Sequence, residues 1–139
     1  VQETDISTLD SDQLKKVTNV LPSKSHIMNM QFGWKVLKHI KSNAILIVKD
    51  GVTIGVGAGQ VSRLDAVNIA LKKSGSDTQG CILCSDGFFP FRDSIDMIAD
   101  SGIEAVIQPG GSVRDEEVVD ACNDHGISMV FTGQRCFKH

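Results

Sequence analysis

The chain has 139 residues, 41% hydrophobic and 22% charged, with 14 Lys+Arg against 17 Asp+Glu and a formal net charge of -3. One ordinary globular domain over 1–139 fits these values, and disorder, collagen and coiled coil do not. The acidic balance excludes a basic nucleic-acid footprint, and the 5% aromatic content, with one Trp and no Tyr, disfavours a base-stacking platform. No run approaches the roughly 18 apolar residues of a membrane span. The first residues, Val1-Gln2-Glu3-Thr4-Asp5, carry neither the basic nor the apolar part of a secretory signal, and no initiator Met. Residues 1–12 read as a polar lead-in. Four cysteines at 81, 84, 122 and 136 then read as reduced thiols of a cytoplasmic protein.

In chain order, Ser11-Asp12-Gln13-Leu14 carries a helix-capping start. A helix is expected from near His26 to Ile40, with Met28, Phe32, Val36, Leu37 and Ile40 as its apolar face. Ala44 to Val48 is a continuous apolar run, as in a strand covered on both faces. Asp50-Gly51 predicts a tight hairpin returning through Thr53–Val56. Ser62 is expected to cap a helix through Leu71. Strands follow at 81–84, 105–107 and 127–131, with helices at 93–100 and 115–124 between them. His125 and Gly126 read as the end of the second of these. Strands alternating with helices predict an α/β fold, a three-layer αβα arrangement around a mixed sheet. Ligands in such folds sit beyond the carboxyl ends of strands, where 57–63, 85–93 and 108–115 fall.

Gly55-x-Gly57-x-Gly59 lies between a strand and a helix without the dinucleotide spacing. It reads as a positive-φ turn or as a close approach to a ligand. Arg63, a cation in a first helical turn, is locally unfavourable, which favours a functional role. In Ser85-Asp86-Gly87-Phe88-Phe89-Pro90-Phe91-Arg92-Asp93, the Phe rings could hold a flat heterocycle and an Asp could read ring N–H groups. The plainer alternative makes the Phe residues core, Arg92–Asp86 an ion pair and Asp93 an N-cap. Gly110-Gly111-Ser112 could bind an anion on its N–H groups, or Arg114-Asp115 could be a capped, solvated helix start. Cys81 and Cys84 fall on opposite faces of a strand and lack a second ligand pair, against zinc. Lys38-His39 could move a proton, or be a solvated Lys beside a capping His.

Several motifs together resemble the C-terminal half of the AICAR (5-aminoimidazole-4-carboxamide ribonucleotide) transformylase domain found in bifunctional purine-biosynthesis enzymes that also carry IMP cyclohydrolase. They are Lys41-Ser42-Asn43-Ala44, Ile54 to Arg63, Ser85 to Asp93, Ile107 to Ser112 and Phe131-Thr132-Gly133-Gln134-Arg135. The resemblance covers nearly the whole chain. It implies a cytidine deaminase-like subdomain without zinc, and formyl transfer from 10-formyltetrahydrofolate to the amino group of AICAR in a dimeric enzyme. The isolated chain is expected to need the upstream half of the transformylase, with the cyclohydrolase domain a further partner.

Residue by residue, the resemblance makes Asn43 a catalytic polar stabiliser near the formyl group. Arg63 and Leu64 line the nucleotide and pterin pocket, Phe88, Pro90 and Phe91 form a stacking wall, and Asp93 reads the pterin edge. Arg135 reaches the nucleotide from a partner subunit. Asp86, with the backbone near Leu37 and Asn43, resembles part of a monovalent-cation (K+) site, where Ile40 and Ala44 replace hydroxyl residues of some members. The family's catalytic Lys-His pair lies upstream of this segment, and Lys38-His39 does not match it. Two other readings stay open. One is a stand-alone, non-catalytic module that binds folate or a purine precursor. The other is a redox protein using Cys81-x-x-Cys84.

Overall fold

The computed structural model describes residues 14–40, 43–59, 62–75 and 78–133. The elements run β1 (Lys15–Lys16), α1 (Lys24–Leu37), β2 (Ile45–Lys49), β3 (Val52–Gly57), α2 (Arg63–Ser74), β4 (Ile82–Ser85), α3 (Asp93–Ala99), β5 (Ala105–Gln108), α4 (Asp115–His125) and β6 (Ser128–Phe131). They build a six-stranded sheet in the order β1-β6-β5-β4-β2-β3. β4, β5 and β6 are parallel, and β2 lies antiparallel to both β4 and β3. The carboxyl ends of β3, β4 and β5 therefore share one end of the sheet with the start of β2.

The sheet is covered on both sides, which is why its central strands are apolar throughout. Ile45, Ile47, Leu83, Val106 and Met129 face the layer of α2, α3 and α4. Leu46, Val48, Ile82, Cys84, Ile107 and Val130 face α1. Cys81 packs in the first core and Cys84 in the second, as strand alternation predicts. Burial pushes the Cys122 thiol up to about 12, which keeps it a neutral core group.

Local chemistry accounts for the boundaries. Ser23 and His26 form a reciprocal capping box at the start of α1. Asp50 and Gly51 both have positive φ (50° and 76°), the hairpin turn expected between β2 and β3. Ser62 caps α2 by accepting from the Asp65 amide. Gly126, left-handed at φ 71°, ends α4 directly after His125.

Three expectations change. Of the expected face of α1, Leu37 is buried and Phe32, Val36 and Ile40 pack partly buried against the same core, but Met28 is 68% exposed, and the fully buried residues beside Leu37 are Met30, Gly33 and Trp34. Two stripes at helical spacing were available, and the one carrying Trp34 and a glycine fits against the sheet. A side chain at Gly33 would collide with the Cys84 sulfur, so the glycine lets the helix close on β4. Second, the helix start expected at Ser11–Leu14 lies outside the described residues except for Leu14. That residue is buried beside the two-residue strand β1, which has no apolar pattern to reveal it. Third, the glycine motif divides its roles. Only Gly59 has positive φ (71°). Gly55 and Gly57 sit under α2, where an added Cβ would meet the Ala70 and Ala66 carbonyls. They serve helix–strand packing. Gly57→Ala should therefore cost about 1–3 kcal/mol through overpacking. In thermal unfolding it should lower Tm by several degrees, whereas a surface substitution such as Lys72→Ala should leave Tm nearly unchanged.

Candidate functional site

Arg63 is the first residue of α2, where the helix dipole disfavours a cation. Two partners offset that cost. Its Nη1 donates to Asp86 Oδ1 at 2.6 Å, and its Nη2 donates to Asn43 Oδ1 at 3.1 Å. The Arg63 and Asp86 side chains are only 9% and 1% exposed. In such surroundings, removing either partner strands a buried charge at a cost of about 3–5 kcal/mol. Asp86 follows β4, and its own amide donates to the Ala44 carbonyl at 3.2 Å. Gly87 lies against the guanidinium, in a place where an added Cβ would collide with Arg63 Nη2. Asn43 has φ 60°, a left-handed conformation that Asn tolerates better than most residues. One arginine thus ties together the start of β2, the end of β4 and the head of α2.

Beside this network is a cleft of about 350 Å³ lined by Asn43, Ser62, Arg63, Phe88 and Pro90. It combines polar donors with an aromatic ring and a proline, as a site for a flat polar ligand does. The Arg63 Nε–H is buried and has no hydrogen-bond partner among the described residues. Such a donor is rare in a folded protein and calls for an acceptor.

The structure brings Asn43, Arg63, Phe88 and Pro90 to one cleft, with Asp86 behind them. Leu64, Phe91 and Asp93 are not among its lining residues. Phe91 is 49% exposed and lies under the Arg114 guanidinium, 5.0 Å from its ring centre. Asp93 accepts from the Ser94 amide at 2.8 Å. It is the first residue of α3 and not its N-cap, a position that Arg92 holds without a side-chain cap bond. Arg135 lies outside the described residues. Ser62, read from sequence only as a helix cap, is an additional lining residue; its place directly before Arg63 was the available signal.

The suggested Arg92–Asp86 pair is not formed. Arg92 instead donates through Nε and Nη2 to Asp96 at 3.2 Å each, and through Nη2 to Asp124 at 3.3 Å. His125 Nε2 lies 2.8 Å from the same Asp96 carboxylate. This cluster joins α3 to α4. The amides of Gly110-Gly111-Ser112 that an anion would need are engaged within the loop, and the expected capped start of α4 is not formed either, since Arg114 holds the N-cap position without a side-chain cap bond. The Gly111 and Ser112 amides donate to Asp115 at 2.8 and 3.0 Å, and the Gly110 amide donates to Gln108 Oε1. Lys38 and the exposed His39 lie just past the end of α1 and do not line the cleft.

A family model described as the AICARFT/IMPCHase bienzyme matches residues 1–73. The chain belongs to this family. One bienzyme relative, the bifunctional purine biosynthesis protein PurH of Aquifex aeolicus, is 52% identical over 138 residues, covering 97% of this chain and 27% of that protein. The chain thus spans about a quarter of the length of such relatives. Among solved structures, a diaminohydroxyphosphoribosylaminopyrimidine deaminase/5-amino-6-(5-phosphoribosylamino)uracil reductase from Thermotoga maritima matches with a TM-score of 0.52 at 23% identity, over 64% of this chain and 29% of that one. Apo dCMP deaminase from cyanophage S-TIM5 matches with a TM-score of 0.50 at 18% identity, over 81% of this chain and 95% of that one. These likenesses show the fold, a mixed sheet between helical layers of the cytidine deaminase-like kind. Among the described residues no helix is long and apolar enough to cross a membrane.

The Arg92 cluster yields a pH test. Hydrogen bonds from Arg92, then from His125, hold the Asp96 carboxyl below its ordinary value of 3.8. A folded value below the unfolded one stabilises the fold above that range, and the gain disappears as acid protonates the carboxylate. Asp96→Asn should lower Tm at neutral pH, and the gap to the parent protein should close as pH falls through and below 3.8.

Proposed function

We propose that this segment forms part of the formyl-transfer site of the bienzyme, the C-terminal subdomain of its AICAR transformylase. It would act in purine biosynthesis on AICAR and 10-formyltetrahydrofolate. One observation carries the reading. The buried, unpartnered Arg63 Nε–H belongs to a residue lining a cleft with Asn43, Phe88 and Pro90, the residues whose motifs carry the family resemblance.

The amine of AICAR is conjugated with its carboxamide and is a poor nucleophile. Its attack on a formyl group needs two substrates held in line, a stabiliser for the tetrahedral oxyanion and a proton acceptor. Arg63 and Asn43 supply polar contacts, and Phe88 with Pro90 supplies apolar surface for a ring. Asn43 is fixed from two sides, by its left-handed backbone and by the guanidinium, so its amide needs little reorganisation when charge develops. Leu64, Phe91, Asp93 and Arg135 would complete the pocket in a homodimer that includes the upstream half and the cyclohydrolase domain.

A second reading rests on the same lining. Among the described residues the cleft contains no His, Lys or carboxylate to accept a proton. That fits a chain which binds folate or a purine precursor by itself and transfers nothing until another part of the bienzyme supplies the base.

Asn43 separates backbone from amide chemistry. In a bienzyme carrying this segment, Asn43→Ala and Asn43→Gly should each lower kcat by roughly tenfold to a thousandfold while KM changes little. Gly keeps the left-handed backbone, so a normal kcat in Asn43→Gly would remove the amide from the mechanism. Calorimetric titration of the 139-residue chain with AICAR and with a folate should show binding without turnover.

A further inference from the structure

We infer that Asp86 is a positioning residue, the fixed counter-ion of Arg63, and that this guanidinium supplies the charge the family resemblance assigns to a free monovalent cation. The inference deepens the formyl-transfer reading by naming the group that orients Asn43, but its geometry stands without that reading.

A monovalent cation is held by a shell of oxygen ligands that replaces its water. Among the described residues, the oxygens nearest this place already accept hydrogen bonds. The Asp86 carboxylate is 1% exposed and accepts Arg63 Nη1 at 2.6 Å. The Ala44 carbonyl accepts the Asp86 amide at 3.2 Å and lies 3.5 Å from the same Nη1. The Leu37 carbonyl accepts the Ile40 amide at 3.0 Å. Ile40 and Ala44 offer hydrocarbon where a hydroxyl ligand would stand. A second cation at Asp86 would also sit against a guanidinium, with like-charge repulsion in a poorly screened place. Among the described residues, this set does not fit the ion.

They fit an arginine clamp. A guanidinium is a rigid planar fork, so anchoring one nitrogen on a buried carboxylate fixes the direction of the other. Nη1 is anchored on Asp86 and Nη2 reaches Asn43 Oδ1 at 3.1 Å, with Gly87 against the fork. Asp86 thereby reaches the Asn43 amide through Arg63 and is not itself a lining residue of the cleft.

The first test uses the unmodified 139-residue protein, titrated with KCl against choline chloride at matched ionic strength. Tm and the backbone amide resonances of Ala44 and Asp86 are followed. The two salts should give Tm values within about 1 °C of each other and the same amide positions, because an ion that binds the folded state must raise Tm as it saturates. A saturable rise in Tm specific to K+, with movement of those amides, overturns the inference. The second test is Asp86→Asn, read through the Asn43 side-chain amide and the Arg63 Nε–H resonances. Both should shift, with partial return in Asp86→Glu, while amides of β5 and β6 stay in place. An unmoved Asn43 amide overturns the positioning role. Should Asp86→Asn not fold, the salt titration still decides. Neither test needs catalysis, so an inactive bienzyme variant at Asn43 and a K+-responsive chain are separate results.

Discussion

A carboxylate and a guanidinium buried against one another at the end of an apolar sheet set the conditions for everything around them. Neither Asp86 nor Arg63 can be left alone in that place, so the fold must deliver both at hydrogen-bonding distance. Doing so joins three segments far apart in the chain, at 43–44, 63 and 86–87. It also explains a choice that helix electrostatics alone would oppose, a cation in the first turn of α2. The site is therefore a by-product of closing a polar network that the apolar layers on either side cannot close for it.

Those layers owe their closeness to missing side chains. Gly33 lets α1 down onto β4, and Gly55 and Gly57 let α2 down onto β3. Both helical layers approach through glycine, yet none of the three needs an unusual φ. Their requirement is space, which differs from the requirement at Gly51 and Gly126, where the backbone turns into the left-handed region. A motif of alternating glycines next to a helix start carries both meanings at once, and only the packing around it separates them.

The parts of the fold that were legible in the sequence are those written in local chemistry. The apolar runs of β2, β4, β5 and β6, the Asp50-Gly51 turn, the Ser62 cap and the Gly126 stop each need only neighbouring residues to be understood. β1 was hidden because two lysines on an edge strand have no alternation to show. The face of α1 was ambiguous because Met28 and Met30 open two stripes of similar period. Side-chain partners were the hardest. Asp86 had arginines at both 63 and 92 to choose from, and the nearer one was lost to Asp96, one helical turn ahead of it in α3. Of the residues singled out in the sequence, Asn43, Arg63, Phe88 and Pro90 line one cleft of this segment, while Leu64, Phe91 and Asp93 do not.

The antiparallel course of β2 has one more effect. Its Asp50-Gly51 turn and its Asn43 end lie at opposite ends of the sheet, and β2 is hydrogen-bonded to β3 on one side and β4 on the other. The turn therefore works as a ruler, measuring out the length of chain between a solvent-exposed corner and the cleft. Slipping that measure by one residue moves the strand by about 3.4 Å and turns its side chains to the opposite face. A contact of 3.1 Å between Asn43 and Arg63 has no tolerance for such a step. The bulge beyond Ile47, where β3 carries an additional residue, is the one irregularity this pairing admits, and it lies on the β3 side, leaving the β2–β4 register continuous from Ile45 to Val48. Distance along the strand, and not proximity to the cleft, makes the far hairpin part of the site's architecture.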